Sequence, residues 1–399
     1  MNPEFTPIVS WEIIVAVIAF LFAALLSFTA TPLVRVLAFK INAVDVPKDN
    51  RRMHKVPMPR LGGLAIFISF IATMFIFNKP DNIMIATAIG STLIVAIGVV
   101  DDIFRIKAFY KFIVQVAASL VVISQGIIIE RINIFDTYIH FGIFSVPITI
   151  LWICGLTNAI NLIDGLDGLA CGISTISAIS LFVVTLLLGD PYIAFLIAIL
   201  CGSCIGFLPF NMNPAKIFVG DTGAMFLGFI LSVISIQGLF KVHAVLTFAV
   251  PFMVLGVPIF DTMFAMLRRI LHGRNPFSPD RGHLHHRFID GGFNQKQTVR
   301  LLYAITAMFG VASIMLTQSM FAASISIIVL AFVIGILTFI IVRNKKTREL
   351  SGIVDVPHIE AQIAEAVKLQ DELFEAQKAA EAVDLEVQAL DVKSSDVVE

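Results

Sequence analysis

The stretch from Asn158 to Leu169 reads N-A-I-N-L-I-D-G-L-D-G-L and holds the densest set of groups able to do chemistry. Asp164 and Asp167 are three apart, so on one helical turn they would point to the same side, with Asn158 and Asn161 continuing that line backwards. An apolar run precedes these residues and another follows, and ionisable groups kept in such a place are expensive enough to be functional candidates by default. A plain polar turn hinged on glycine needs no aligned acids. A second acidic site, Val99-Val100-Asp101-Asp102, ends an earlier apolar run and is followed by Arg105, Lys107, Lys111 and Gln115. Adjacent aspartates repel, so a pair at a membrane surface asks for a partner such as Mg²⁺ or a proton to be moved. Lys111 and Gln115, one turn apart, would face the same way and hold a phosphate against the acids. Arg105 and Lys107 read as surface cations whose stems snorkel along the interface.

Three loops add further groups. Phe210 to Gly223 reads F-N-M-N-P-A-K-I-F-V-G-D-T-G, and Asp221, between glycines at a helix start, suits a hard cation beside bound phosphates. Phe218 in that loop either stacks on a nucleobase or is buried against a neighbouring helix. From Asn42 to Arg60, cations including Lys55 lead to Gly62-Gly63, where free N–H groups and a helix dipole would favour phosphate. Arg281 to Arg287 reads R-G-H-L-H-H-R. Its histidines have Zn²⁺ spacing, but thiol or acidic partners are lacking in the loop's centre and the arginines repel a cation, so phosphate and sugar recognition fits better. Several acids, a few cations, glycine-flanked helix starts and no nucleophilic Ser or Cys in context describe Mg²⁺-assisted chemistry on a phosphate, in which the protein positions groups and neutralises charge.

The elements that position these groups are membrane helices. Of 399 residues 58% are hydrophobic and 14% charged, and the mean hydropathy is +0.91, which excludes an ordinary soluble domain. Apolar runs long enough to span predict helices near 9–31, 61–77, 83–100, 112–129, 145–160, 169–188, 192–208, 222–240, 244–267, 301–317 and 321–342. The first run lacks a basic n-region and is expected to remain in the mature chain. The expectation is an all-α polytopic membrane protein with about eleven transmembrane helices over residues 1–348 and an acidic, partly helical cytoplasmic tail over 349–399. Loops at 35–60, 101–111, 209–221, 268–300 and 343–348 hold 22 of the 28 Lys and Arg, whereas the other side holds Lys79, Arg131 and Lys241. The basic side is cytoplasmic, so the N-terminus lies outside, the C-terminus inside, and the active site in the cytoplasmic loops. The net charge of −1 conceals that asymmetry because acids in the tail balance the loops.

Smaller features follow. Pro251, Gly256 and Pro258 predict a kink before Asp261 and Arg268-Arg269. Arg131 to Phe144 alternates weakly, as a short outer hairpin would. Cys154, Cys171, Cys201 and Cys204 lie in apolar runs and are expected as free thiols, with Gly202, Ser203 and Gly206 beside them for close helix packing. In the tail, Ile359, Ile363, Val367 and Leu373 form a loose helical pattern without a sustained heptad.

Taken together, N-A-I-N-L-I-D-G-L-D-G-L-A, V-V-D-D with K-F-I-V-Q, N-M-N-P-A-K-I-F-V-G-D-T-G and D-R-G-H-L-H-H-R-F resemble the polyprenyl-phosphate N-acetylhexosamine-1-phosphate transferases of bacteria, the WecA/TagO branch related to MraY. The resemblance covers residues from about 40 to 300. It implies transfer of a sugar 1-phosphate, most simply GlcNAc 1-phosphate, from a UDP-N-acetylhexosamine to undecaprenyl phosphate, with release of UMP and with Mg²⁺, or Mn²⁺ in its place, as cofactor. Carried over by position, Asp221 is similar to the family's metal ligand, with Asp164 beside it. Asp101 and Asp102 resemble its catalytic pair and Lys111 a lysine near the acceptor phosphate. Asp167 and Phe218 resemble uracil-binding positions, and Asn211 a further donor contact. Asn161 and Asp164 would line the diphosphate, Asp164 also counting among the catalytic residues, with Asn158 a further substrate-binding position, Lys55 on the nucleoside side, and His283, His285, His286 and Arg287 at the sugar and phosphate. The partners implied are the donor, the lipid acceptor and the bilayer of the bacterial plasma membrane, with no nucleic acid and with a homodimer left open.

The histidine loop lacks the run of histidines followed by Phe-Glu expected of the MurNAc-pentapeptide branch, which favours a plain N-acetylhexosamine donor. A secondary transporter would instead place its acids at mid-membrane in an inverted repeat, and a scaffold protein would need no acids spaced for a metal.

Overall fold

The computed structural model describes residues 11–46, 57–134, 137–238, 249–275 and 282–353, together with 365, 367–370, 372–374 and 378. Lys55, Arg281, Ile359 and Ile363 lie outside them. The chain divides into two compact units, Met1–Phe339 and Ile340–Glu399. In the second, the helix ending at Ile353 and the short described pieces beyond it are helical.

The first unit is built of helices in chain order: α1 (Trp11–Lys40), α2 (Gly63–Phe77), α3 (Asn82–Phe104), α4 (Ala108–Ile123), α5 (Ser145–Ile163), α6 (Leu169–Leu187), α7 (Pro191–Asn211), α8 (Gly220–Gly238), α9 (Ala249–Val254), α10 (Gly256–Leu271), α11 (Leu284–Asp290), α12 (Gln295–Thr317) and α13 (Phe321–Ile353), the last running on into the second unit. Two short antiparallel pairs accompany them, β1 (Val44–Asp45) with β2 (Met58–Pro59), and β3 (Arg131–Ile134) with β4 (Thr137–His140). The second pair is the expected hairpin; the first bridges a loop that the sequence leaves irregular.

Eight helical segments among the described residues are long and apolar enough to cross a membrane, and the protein is a multi-pass membrane protein. The other three expected spans correspond to α2 and α4, which are shorter, and to the segment that breaks at Leu255 into α9 and α10, where Pro251 and Pro258 predict a kink.

Helix α8 is the centre. Apart from Asp221 in its first turn, every residue of it is buried, as expected of a helix that is apolar all round and packed among α2, α3, α5, α6 and α7. Lipid-facing Leu21, Leu25, Leu33 and Val36 of α1 are exposed, whereas Ala19, Ala23 and Ser27 face α7. There Gly202 and Gly206 lie against the Phe20 and Ala24 carbonyls, the close packing expected beside Cys201 and Cys204, and all four cysteines are free and buried.

The glycine pair at the start of α2 corrects an expectation. Its N–H groups are not free for an anion: Gly62 N–H donates to Phe218 O at 2.9 Å and Gly63 N–H to Val219 O at 2.8 Å. The glycines are there because α2 and α8 touch backbone to backbone. A Cβ on Gly63 would lie 1.9 Å from Gly223 Cα. Gly63→Leu is therefore expected to destabilise the protein by at least about 1–3 kcal/mol, since backbone atoms cannot yield as a side chain can. An unchanged thermal midpoint in detergent would show that the two helices can part without cost.

Candidate active site

The ends of α3, α4, α5 and α8 bring the expected acids and cation together. Lys111, in the first turn of α4, places Nζ 2.7 Å from Asp221 Oδ2 and 3.2 Å from Asp101 Oδ2. Asp101 is held from the other side, where its Oδ1 accepts the Ile106 N–H at 2.8 Å in the tight turn after α3. One cation thus joins two carboxylates from helices far apart in sequence, which neutralises repulsion that would otherwise drive them apart.

Asp102 has a different task. Successive helix residues point about 100° apart, so Asp102 faces α8 while Asp101 faces Lys111. Its Oδ1 accepts the Asp221 N–H at 3.1 Å, and its Oδ2 accepts the Thr222 N–H at 3.0 Å and the Thr222 hydroxyl at 2.7 Å. The side chain is fully buried. It satisfies the free N–H groups that open α8 and so fixes the helix start that presents Asp221. The expected catalytic pair is therefore divided into one group facing the cluster and one group holding it. Gly220 enters this turn at φ +71°, and a Cβ on it would strike the Arg60 carbonyl and the Asp102 carboxylate.

Arg60 is a site residue that sequence reasoning passed over as one cation among several. Its Nε lies 3.4 Å from Asp102 Oδ1 and its Nη2 3.4 Å from Asp221 Oδ1. Burial works against its charge, but the carboxylates of Asp102, Asp221 and Asp45 outweigh it and hold the pKa above the ordinary value. Its place one residue ahead of Gly62-Gly63, across Leu61, was the available signal. Arg105, by contrast, is an exposed cation paired with Asp45 at 3.0 Å, as expected of a surface group.

The alignment of Asp164 with Asp167 on one helical face does not hold. Helix α5 ends at Ile163, Asp164 is already non-helical at φ −74° and ψ 56°, and Gly168 enters α6 at φ +77°. The two glycines turn the chain, and the Tyr303 hydroxyl of α12 donates to Gly168 O across it. Asp164 goes to the acidic cluster. Burial first, then Asp221, with Asp102 and Asp167 adding to them against the pull of Arg60, push its carboxyl up to about 8, so it holds a proton at neutral pH unless a cation joins it. Asp167 turns to the loop before α8: its Oδ2 accepts from Asn213 Nδ2 at 2.9 Å and from the Ala215 N–H at 3.1 Å. Asn213 also donates to Gln295 Oε1 at 2.7 Å. Neither Asn213 nor Gln295 was singled out from sequence.

Two amides move out of the expected site. Asn158 and Gln115 pair with each other, at 2.7 and 3.3 Å, with Gln115 fully buried. They join α4 to α5 inside the bundle, because an amide buried among apolar helices finds its partner in another amide. Asn161 contributes its carbonyl to the Asp164 N–H. Asn211 is buried and donates Nδ2 to Ile217 O at 3.0 Å, closing the loop before Asp221, while its Oδ1 lacks a protein partner. Phe218 is half-buried beside it, its backbone bonded to Pro59 and Gly62.

The histidines converge from α11. His283 and His285 lie nearly parallel at 12° with ring centroids 6.1 Å apart, and His285 and His286 are 4.3 Å apart. The His285 ring covers Gly165, where a Cβ would lie 2.2 Å from its Nε2, and this brings the histidine helix to the Asp164 turn. Burial and the neighbouring His286 push the His285 imidazole down to about 4, so it is neutral at pH 7, and its Nδ1 is buried without a hydrogen-bond partner. Arg287 points elsewhere. It is exposed and lines an apolar cavity with Phe260, Phe288 and Phe309.

Among the described residues, no three His, Cys, Asp or Glu side chains form a closed metal cage. Mg²⁺ does not require one, since it binds through one or two carboxylates and completes its shell with phosphate oxygens and water. Asp221, with Asp164 close enough to feel its charge, could supply that donor set.

The family model described as glycosyl transferase family 4 matches residues 84–239, which include Asp101, Lys111, Asp164 and Asp221. A probable undecaprenyl-phosphate N-acetylglucosaminyl 1-phosphate transferase of Bacillus subtilis is 39% identical over 315 residues, covering 78% of this chain and 88% of the relative. A decaprenyl-phosphate N-acetylglucosaminephosphotransferase of Mycobacterium leprae is 35% identical, covering 73% and 81%. A phospho-N-acetylmuramoyl-pentapeptide-transferase of Staphylococcus saprophyticus is 31% identical, covering 74% and 96%.

Proposed function

The chain belongs to glycosyl transferase family 4, and we propose that it transfers N-acetylglucosamine 1-phosphate from UDP-N-acetylglucosamine to undecaprenyl phosphate, releasing UMP. The observation that carries this reading is the joint of Asp101, Lys111 and Asp221 at the ends of three helices, with Asp164 beside it. Such a cluster offers both signs of charge to a phosphate arriving from the membrane surface and one arriving from solution. The closer resemblance to GlcNAc-phosphate transferases than to the MurNAc-pentapeptide enzyme supports the donor.

The reading includes eleven spans in a bacterial plasma membrane, with the N-terminus outside and the cluster on the cytoplasmic face, as the distribution of Lys and Arg favours. Lys111 sits where it can hold the acceptor phosphate as that phosphate approaches, and Asp101 orients Lys111 and takes a proton from a protonated acceptor. Arg60 keeps Asp221 and Asp102 in place without drawing on the lysine. The neutral His285, packed over Gly165, gives the edge of the cluster an uncharged face beside the sugar. Mg²⁺ or Mn²⁺ would be held by Asp221 with Asp164, and when bound it would neutralise charge on the diphosphate.

The test is a donor panel. UDP-GlcNAc is expected to release UMP in the presence of undecaprenyl phosphate, while UDP-MurNAc-pentapeptide is refused. UDP-glucose should be poor, because polar groups that meet the acetamido group would be left unpaired at about 1–3 kcal/mol each. Preferential use of the pentapeptide donor would move the protein to the other branch.

A further inference from the structure

Helix α10 carries a buried carboxylate that the reaction as read above does not use. Asp261 is 3% exposed, and it lies two turns before Arg268 on the same helix face. Its Oδ2 is 2.8 Å from His283 Nδ1, and its Oδ1 accepts the Leu284 N–H at 2.7 Å. Arg268 Nη1 donates to Gly282 O at 2.9 Å, and Gly282 has no room for a side chain, since a Cβ would lie 1.7 Å from the guanidinium. α10 therefore grips three consecutive residues, 282 to 284, at the start of the histidine helix.

Two of these bonds only hold backbone. The third goes to an imidazole that is itself 4% exposed, and it is the one that a neutral capping side chain would not reproduce. A buried carboxylate is costly unless its oxygens are engaged, and here one oxygen is engaged by the ring. A carboxylate on Nδ1 fixes the tautomer with the proton on that atom, orients the ring and leaves Nε2 as the working nitrogen. His283 stacks on His285, and His285 covers Gly165 beside Asp164, so the ring orientation is passed to the edge of the acidic cluster.

We propose that Asp261 is a positioning residue for the donor: it holds His283 in the Nδ1–H tautomer so that Nε2 meets the sugar and diphosphate of the UDP-sugar. The proposal rests on the donor assignment made above. Asp261→Asn tests it because the amide keeps the size and can still accept the Leu284 N–H, yet presents an N–H to His283 Nδ1 and so reverses the tautomer. The kcat/KM for UDP-GlcNAc is expected to fall by about 10- to 100-fold with an unchanged thermal midpoint. In a His283→Gln background the same change should cost nothing further, because Asp261 acts through that ring. A loss that multiplies in the double variant would mean that Asp261 merely supports the helix, and would overturn the proposal.

The tautomer itself is read on the full chain in detergent with ¹⁵N-labelled histidine, the His283 signals being those lost in His283→Gln. Wild-type protein should show Nδ1 protonated, and Asp261→Asn should exchange the two nitrogen shifts. An Nε2–H tautomer in the wild type overturns the proposal even if the variant fails to fold. If the wild type releases UMP from no donor, the reading of the reaction fails, while the nitrogen shifts still decide how Asp261 holds the ring.

Discussion

Asp221→Asn is expected to lower UMP release by at least about 10²–10³-fold, and added Mg²⁺ should not restore it. Asp221 is the one residue of α8 that is not buried, and both of its oxygens meet cations, Lys111 at 2.7 Å and Arg60 at 3.4 Å. The amide keeps the side chain's size and leaves untouched the backbone N–H that donates to Asp102, so the helix start should persist and the protein should fold. What disappears is the hard anionic oxygen that a divalent cation needs and the charge that holds Lys111 in place. The measurement is UMP release across a Mg²⁺ titration, with circular dichroism as the control for folding. Wild-type turnover at limiting Mg²⁺ would remove Asp221 from the metal role.

The second large effect is expected at Asp101. Asp101→Asn should lower kcat by about 10²–10⁴-fold while changing the KM for the donor little, because a group used in proton transfer costs rate rather than binding. Lys111 would retain Asp221, so the cluster should not collapse. An unchanged kcat with weaker UDP-GlcNAc binding would place Asp101 on the donor side instead. Comparison with Asp102→Asn is informative: Asp102 is engaged by the first turn of α8 through both oxygens, and its loss should lower the thermal midpoint as well as activity.

Composition and charge alone determined that this is a multi-pass helical membrane protein, because in lipid the backbone must satisfy its own hydrogen bonds, and apolar runs of about 20 residues do so as helices, whereas barrel strands are about half that length. Spacing and residue type also marked the acids: Asp101, Asp164 and Asp221 stand at or near the ends of apolar runs, where an ionisable group is costly. The tertiary structure decided what each of them faces. Asp101 and Asp102 are adjacent in sequence, yet the helical rotation between them sends one to Lys111 and the other into the start of α8. Asp164 and Asp167 part because α5 ends at Ile163, before either of them, and α6 begins only after Gly168, so no helical turn carries both, a break that a periodic reading does not see. The Gly62-Gly63 pair looks like an anion cradle in one dimension and is a backbone contact with α8 in three. The partners of Arg60 and Asp261 were hidden for the same reason. They lie 161 and 22 residues away along the chain, and only packing brings them within hydrogen-bonding distance.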